Sequence, residues 1–343
     1  LMRRAGFGAQ YHELEARAEK GYEETVEELL NPTDESHGMD LDLAERYFIE
    51  WNHHIRCVPE YIAFRMINSK SQLEEKMILF WHGILCHTDS KNQSQVASHA
   101  EWKMIRRCGM GSFKDLLIEI SKDPAMVYFL DNCLSHKDAI NENYGRELLE
   151  LFSLGVGMDG EFNYTEDDVK ECARAFTGWT IANGIPPQPY GRYTSTFVFN
   201  PDDHDDEEKT FLGHTGNFNG EDIIDILCKQ PATARFISRH IYDFFVADEA
   251  QVPTWMDTPP RDPETIKMLE DEYFSSDYNI RSMLRVLFNS DAFKKARFAR
   301  IKGPIETVIG TLRLAGDWTT PKPGFEAIFE EMKQMGQEIL NPP

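Results

Sequence analysis

Asn141-Glu142-Asn143-Tyr144-Gly145-Arg146-Glu147-Leu148-Leu149-Glu150-Leu151-Phe152 decides the fold class of this chain. Wound at helical pitch, it sets Asn143, Arg146, Glu147 and Glu150 on one face and Tyr144, Leu148, Leu151 and Phe152 on another. An apolar stripe beside a polar one is the pattern of a helix lying on a core. That helix is expected over residues 142–154, with Gly155 ending it. The same period recurs on both sides. Upstream, residues 11–30 read as one amphipathic helix stopped by Asn31-Pro32, and residues 34–40 as a polar link. Residues 41–67 carry helical patterning broken before Pro59. Residues 71–86 follow, with Leu73, Met77, Phe80, Trp81 and Ile84 as the apolar stripe, and then a short helix over 112–121.

Local punctuation sharpens several ends. Asp123-Pro124 is a cap followed by Pro at the first helical position. Thr165-Glu166-Asp167-Asp168 resembles a capping box with Asp in place of the usual Glu, and opens a helix through Phe176 that Gly178 ends. Downstream helices are expected over 221–245 with an interruption near Pro231, over 263–274, and over Ile280–Asn289 and Pro304–Leu314. Residues 181–220 differ. They are rich in Gly, Pro, Asn, Asp and Thr, with a β-like run over 193–199, and read as an irregular excursion with two short strands. The expectation is a mainly α fold: a single multi-helix domain over 1–343 with a long, partly β insertion around 181–220.

The chain has 343 residues, with 36 Lys plus Arg against 58 Asp plus Glu, a net charge of −22. That sign argues against a nucleic-acid partner, whose phosphates call for surplus cations. It also argues against docking on an anionic membrane surface. Disorder does not follow, because 41% of the residues are hydrophobic, enough to fill a core. No run approaches the ~18 apolar residues of a transmembrane helix. The chain starts Leu1-Met2-Arg3-Arg4 and reads as a processed or trimmed piece. Its six cysteines, Cys57, Cys86, Cys108, Cys133, Cys172 and Cys228, form no CxxC pair, and most of them read as buried small hydrophobes.

Three constellations could carry chemistry. On the 142–154 helix, Glu147 and Glu150 could ligate a cation or share proton transfer, with Arg146 and Asn143 beside them. The plainer reading is a solvated face with an Arg–Glu pair. In Phe80-Trp81-His82-Gly83-Ile84-Leu85-Cys86-His87, His82 could be a ligand or base, or a satisfied core histidine. His82 and His87 are five apart and need not converge. In the segment from Pro201 to His214, Asp202, Asp203, Asp205, Asp206, Glu207 and Glu208 surround His204. They suit a cation site or a solvated acidic loop. The spacing fits no EF-hand, and phosphate-loop, dinucleotide, GxSxG and HExxH fingerprints are absent.

These motifs in this order resemble the bacterial family known as domain of unknown function 1800. The resemblance runs through Arg3-Arg4-Ala5-Gly6-Phe7-Gly8, Glu75-Lys76-Met77 leading into Phe80-Trp81-His82, and Asp123-Pro124-Ala125-Met126. It continues through the Glu147 segment, Tyr164-Thr165-Glu166-Asp167-Asp168-Val169 and Ala173-Arg174-Ala175-Phe176-Thr177-Gly178-Trp179. His204-Asp205 and Lys209-Thr210-Phe211-Leu212-Gly213 close it. The resemblance implies an exported or surface-associated bacterial protein, extracytoplasmic rather than cytoplasmic. It also implies a shared process with a sulfatase-like protein, as partner or as fellow subunit of a larger complex. Many members carry a second His two residues after the one matching His82, where this chain has Ile84. Members also continue into a Gly/Trp-rich block beyond Asn341-Pro342-Pro343.

Two functions stay in play. The first is a metal-dependent, hydrolase-like enzyme. It would have Glu147, Glu150, Arg146 and Asn143 in the catalytic site and a divalent metal held by His82, Glu147, His204 and Asp205. Arg146 would grip an anionic substrate group. The second is a non-catalytic binding or assembly partner, whose polar helix faces are ion-pair networks that fix helix register.

Overall fold

The computed structural model describes residues 1–33, 41–50, 57–92, 94–182, 195–315, 318–321 and 324–342. The chain is mainly α, with strands only in short two-stranded ribbons among the described residues. It divides into two compact units. One is built from residues 1–90, 245–247 and 284–343, the other from 91–244 and 248–283.

In the first unit the expected single helix over 11–30 is two, Tyr11–Lys20 and Tyr22–Leu30. Gly21 between them has φ +107°, a conformation no helix contains and that only Gly adopts without strain. Cys57–Asn68 carries Pro59 inside its first turn, where a missing N–H breaks no intrahelical bond. The polar link at 34–40 lies outside the described residues. Gln72–His82 supplies the stripe of Leu73, Met77, Phe80 and Trp81, all buried. Rings of Phe48, Phe64 and Phe325 interlock, Phe48 and Phe64 at 5.3 Å between centroids. Charges are buried with this core. Arg65 meets Glu75 at 2.9 Å, and Glu306 takes both Lys76 and Arg300, the latter at 2.7 Å. Burial would raise the Glu306 carboxyl, but the two cations hold it well below the usual carboxylate range.

The second unit opens with Gln95–Cys108, a helix the sequence pattern did not announce. Its buried face holds Gln95, Ser98, His99 and Glu101 beside Trp102, Met104 and Ile105, so polar residues break the apolar period. Elsewhere the local signals hold. Asp123 Oδ1 accepts from the N–H groups of Ala125 and Met126 at 2.9 and 3.3 Å, opening Pro124–Phe129. Helices run over Gly220–Cys228 and Pro231–Phe245, separated where an interruption was expected. Ile280–Asn289 and Pro304–Leu314 have their expected bounds. The irregular excursion contains two antiparallel ribbons among its described residues. Trp179–Ala182 pairs with Thr196–Phe199, and Lys209–Phe211 pairs with His214–Gly216. Part of the β-like run, Tyr193 and Thr194, lies outside the described residues.

Candidate functional site

The Glu147 helix is Asn143–Glu150, shorter at both ends than the pattern suggested. Asn141 accepts the Asn143 N–H at 3.0 Å, and Asn143 Nδ2 donates to the Leu130 carbonyl at 3.1 Å. Asn143 is therefore the helix anchor, engaged with backbone. Tyr144, Leu148 and Leu149 are buried, so the opposite face is presented outward. At Gly145 the helix meets its neighbour, Glu166–Ala175, backbone to backbone. A Cβ there would lie 3.0 Å from Ala173 N and 3.1 Å from Val169 O.

The neighbouring helix starts with the expected box. Thr165 N–H donates to Asp168 Oδ2 at 2.9 Å and Asp168 N–H to Thr165 Oγ1 at 3.2 Å. The other oxygen of Asp168 accepts the Leu212 N–H at 2.7 Å, across 44 residues. A carboxylate set close to the backbone thus caps the helix and pins a turn of the excursion. Farther along, Arg174 closes a denser network. Its Nε and Nη2 reach the two oxygens of Asp205 at 2.7 and 3.2 Å, and Nη1 reaches both oxygens of Glu171 at 3.0 and 2.8 Å. Glu171 also accepts the Thr210 N–H at 3.1 Å. Lys209, fully buried, donates to the carbonyls of Asp205 and Glu207.

These contacts sort the expected site residues. Asp205 is engaged with Arg174 and with the Glu207 N–H. Burial would raise its carboxyl, but Arg174 and that N–H bring it below the usual range. Of the other acids in its cluster, Asp203 faces His136 at 2.6 Å, which lowers its pKa, and Glu207 lies 3.7 Å from Arg174. His204 is buried against Phe199, and its Nδ1 donates to the Thr177 carbonyl at 2.8 Å. Its Nε2 lies 3.9 Å from Oδ1 of Asp206. His82 belongs to the first unit. Its Nε2 accepts the Leu340 N–H at 3.1 Å, and burial with His87 nearby drives its pKa down to about 3. His82 is thus neutral, with that nitrogen engaged in fixing a distant backbone segment.

Arg146 is engaged as well. It grips both oxygens of Glu166 at 2.9 and 2.7 Å, with Glu142 at 3.4 Å. A substrate anion would have to displace Glu166, whose side chain is 68% exposed. Glu150 accepts a hydrogen bond from the Tyr164 hydroxyl at 3.3 Å. Sequence spacing does not bring Tyr164 to Glu150, since the helix ends at Glu150 and a short β-ribbon, Gly157–Met158 with Glu161–Phe162, lies between them. Glu147 is half-buried and has no side-chain hydrogen bond or ion pair among the described residues. Burial and the charge of Glu150 raise its pKa. Neither His204 nor Asp205 shares a hydrogen bond or ion pair with Glu147 or Glu150 among the described residues. No group of three or more His, Cys, Asp or Glu there is disposed to hold a metal ion.

A family model described as protein of unknown function (DUF1800) matches residues 1–343, the whole chain. The chain belongs to that family. No curated protein and no solved structure matches it. Two of the motifs that carry the resemblance have physical roles in the structure. The Arg174 motif and His204-Asp205 are two halves of one ion-paired junction, and Tyr164 and Glu150 meet side by side. The six cysteines are all free thiols. No helix among the described residues is long and apolar enough to cross a membrane.

Proposed function

We propose that this DUF1800 chain is a hydrolase-like enzyme that uses Glu147 as a general acid or base. The observation that supports it is one contrast. Arg146, Arg174, Asp205 and His82 all have partners of their own, whereas the half-buried carboxyl of Glu147 has none, beside a Glu150–Tyr164 pair. A carboxyl in partial burial beside a second carboxylate keeps its proton nearer neutral pH, where acid–base catalysis is most effective. A divalent metal, as part of the same reading, would centre on Glu147 and Glu150. Export to the cell surface belongs to this proposal too.

Two measurements test it. Carbodiimide activates protonated carboxyls, so at pH 6 Glu147 should label faster than the exposed Glu166, as read by peptide mass spectrometry. Glu147→Gln should abolish any turnover found on a panel of chromogenic ester, phosphate and glycoside substrates, while leaving thermal stability unchanged or higher. Slow labelling together with a fall in stability would make Glu147 a structural residue and defeat the reading.

A second reading has its own support. Arg146 ties one helix to the next and Arg174 ties a helix to the excursion through intramolecular pairs, as expected of a binding or assembly protein whose polar networks fix register. Stoichiometric co-purification with a sulfatase-like partner, with Glu147→Gln silent, would favour it.

A further inference from the structure

The first unit contains a cleft of about 790 Å³ whose character opposes that of the chain. Its cationic lining is Arg3, Arg4, Lys294, Arg297, Arg300 and Lys302, and no Asp or Glu lines it. In a chain with 22 more acids than bases, such a wall is a local inversion of the field. Arg300 is neutralised by Glu306. Arg3, Arg4, Arg297 and Lys302 form no ion pair with a carboxylate among the described residues. Lys294 lies 4.9 Å over the Tyr22 ring and is also within the field of Asp291. Arg4 lies 3.7 Å over the Phe293 ring and donates one Nη2 bond to its carbonyl at 2.6 Å, while its Nη1 is buried with no acceptor. A buried guanidinium N–H without an acceptor costs stability unless a ligand supplies one.

The wall is built by the chain's opening motif. Gly6 admits the backbone against Gln72, since a Cβ there would meet the Gln72 Cβ at 2.9 Å, and the Phe7 N–H donates to Gln72 Oε1 at 3.3 Å. That anchorage sets Arg3 and Arg4 along one side. The lining also includes Phe298, 97% exposed and at φ +56°, a left-handed conformation that a bulky residue adopts at a cost. An aromatic ring held out at a cationic cleft fits a ligand with its own apolar or aromatic face.

We propose that this cleft binds a phosphate monoester carrying an aromatic or apolar group. The surplus of unpaired cations selects a dianion over a monoanion, and a phosphate monoester is largely dianionic above its second pKa of about 6. Arg4 and the flanking guanidinium groups grip the phosphate oxygens, and Phe298 covers the organic part.

The test is calorimetric titration of the chain with phenyl phosphate, inorganic phosphate and phenyl sulfate at low and high salt. Expected are saturable binding of phenyl phosphate, weaker binding of inorganic phosphate, weaker still of phenyl sulfate, and loss of affinity as salt rises. Arg3→Glu and Arg297→Glu, both at exposed positions, should each weaken phenyl phosphate binding by about tenfold or more. Their circular dichroism and unliganded melting should be unchanged. Phe298→Ala should erase the preference for phenyl phosphate over inorganic phosphate. The proposal is overturned by absence of saturable binding at low salt, or by equal affinity of the native chain and the Arg3→Glu/Arg297→Glu double variant. Equal binding of phenyl sulfate and phenyl phosphate overturns the choice of a dianion, and a silent Phe298→Ala overturns the aromatic rim.

Discussion

Arg174→Ala should destabilise the second unit by about 3 kcal/mol, through the loss of a nearly dry junction. The guanidinium is 17% exposed and Asp205 11% exposed, and their two parallel bonds are 2.7 and 3.2 Å long. Glu171 adds a second pair from the other side. Charge-assisted bonds in such surroundings contribute roughly 1.5–3 kcal/mol each. Removing the cation also leaves Asp205 and Glu171 with Lys209, 3.9 Å from Asp205, as the remaining nearby cation. Solvent relieves part of that penalty, which places the sum near the lower end of the ~3–5 kcal/mol expected for a broken buried pair. For a unit of this size, about 3 kcal/mol lowers the melting temperature by roughly 6–12 °C. Differential scanning calorimetry measures the shift, and hydrogen exchange of residues 204–212 should rise with it. Glu207→Gln, at a side chain 89% exposed, should change little. The pH dependence has a definite sign. The carboxyl of Asp205 is depressed in the folded chain, so its contribution is full above the unfolded pKa of about 3.9. It is lost as pH falls through the lower folded value, and Arg174→Ala should flatten the stability curve there. A melting temperature within a degree of the native value, or no coupling between Arg174→Ala and Asp205→Asn in a double-mutant cycle, would refute this account.

Gly145→Ala should cost roughly 1–3 kcal/mol by urea unfolding, because the added methyl presses on the backbone of residues 169 and 173. A silent Gly145→Ala would show that the two helices are not in close register. His82, neutral down to about pH 3, binds no proton on folding while its unfolded counterpart titrates near 6.5. Stability should therefore fall with pH through that window, by up to about 1.4 kcal/mol per unit, and His82→Gln should reduce the slope measured from urea midpoints. Lys76→Met should cost roughly 3–5 kcal/mol in equilibrium unfolding, since it strips one of two cations from buried Glu306; a loss below about 1 kcal/mol would mean that Arg300 compensates alone.

How far the sequence discloses this molecule depends on the range of the interaction that sets each feature. The bounds of Ile280–Asn289 and Pro304–Leu314 follow from apolar period and Pro placement, both local. The capping box at Thr165 is likewise written within four residues. The break at Gly21 was less legible, because a lone Gly inside an amphipathic pattern is often tolerated until packing demands a turn. Gln95–Cys108 was hidden for the opposite reason. Its core face buries Ser98, His99 and Glu101, so hydrophobicity alone shows no stripe. The site follows the same rule. Glu147, Glu150 and Arg146 could be placed on one face from spacing, but the Glu166 partner of Arg146 and the Tyr164 partner of Glu150 lie 20 and 14 residues away. Arg174 and Asp205 are 31 apart, and Lys76 and Glu306 230 apart. No periodicity encodes such pairings, and they decide which charged groups are left to do chemistry.

The bond from Leu340 to His82 carries a consequence for the order in which the molecule is made. The first unit needs residues 284–343, yet the whole of 91–283 is synthesised before any of them emerges. At about 5–20 residues per second, the imidazole of His82 waits tens of seconds for a donor 258 residues downstream. Through that interval Phe7, Phe80 and Trp81 have no completed core to enter, while the second unit has nearly all of its own chain. Nascent chains stalled short of Leu284 should therefore hold a protease-resistant fragment beginning near Lys91, behind a leading segment that chaperones bind.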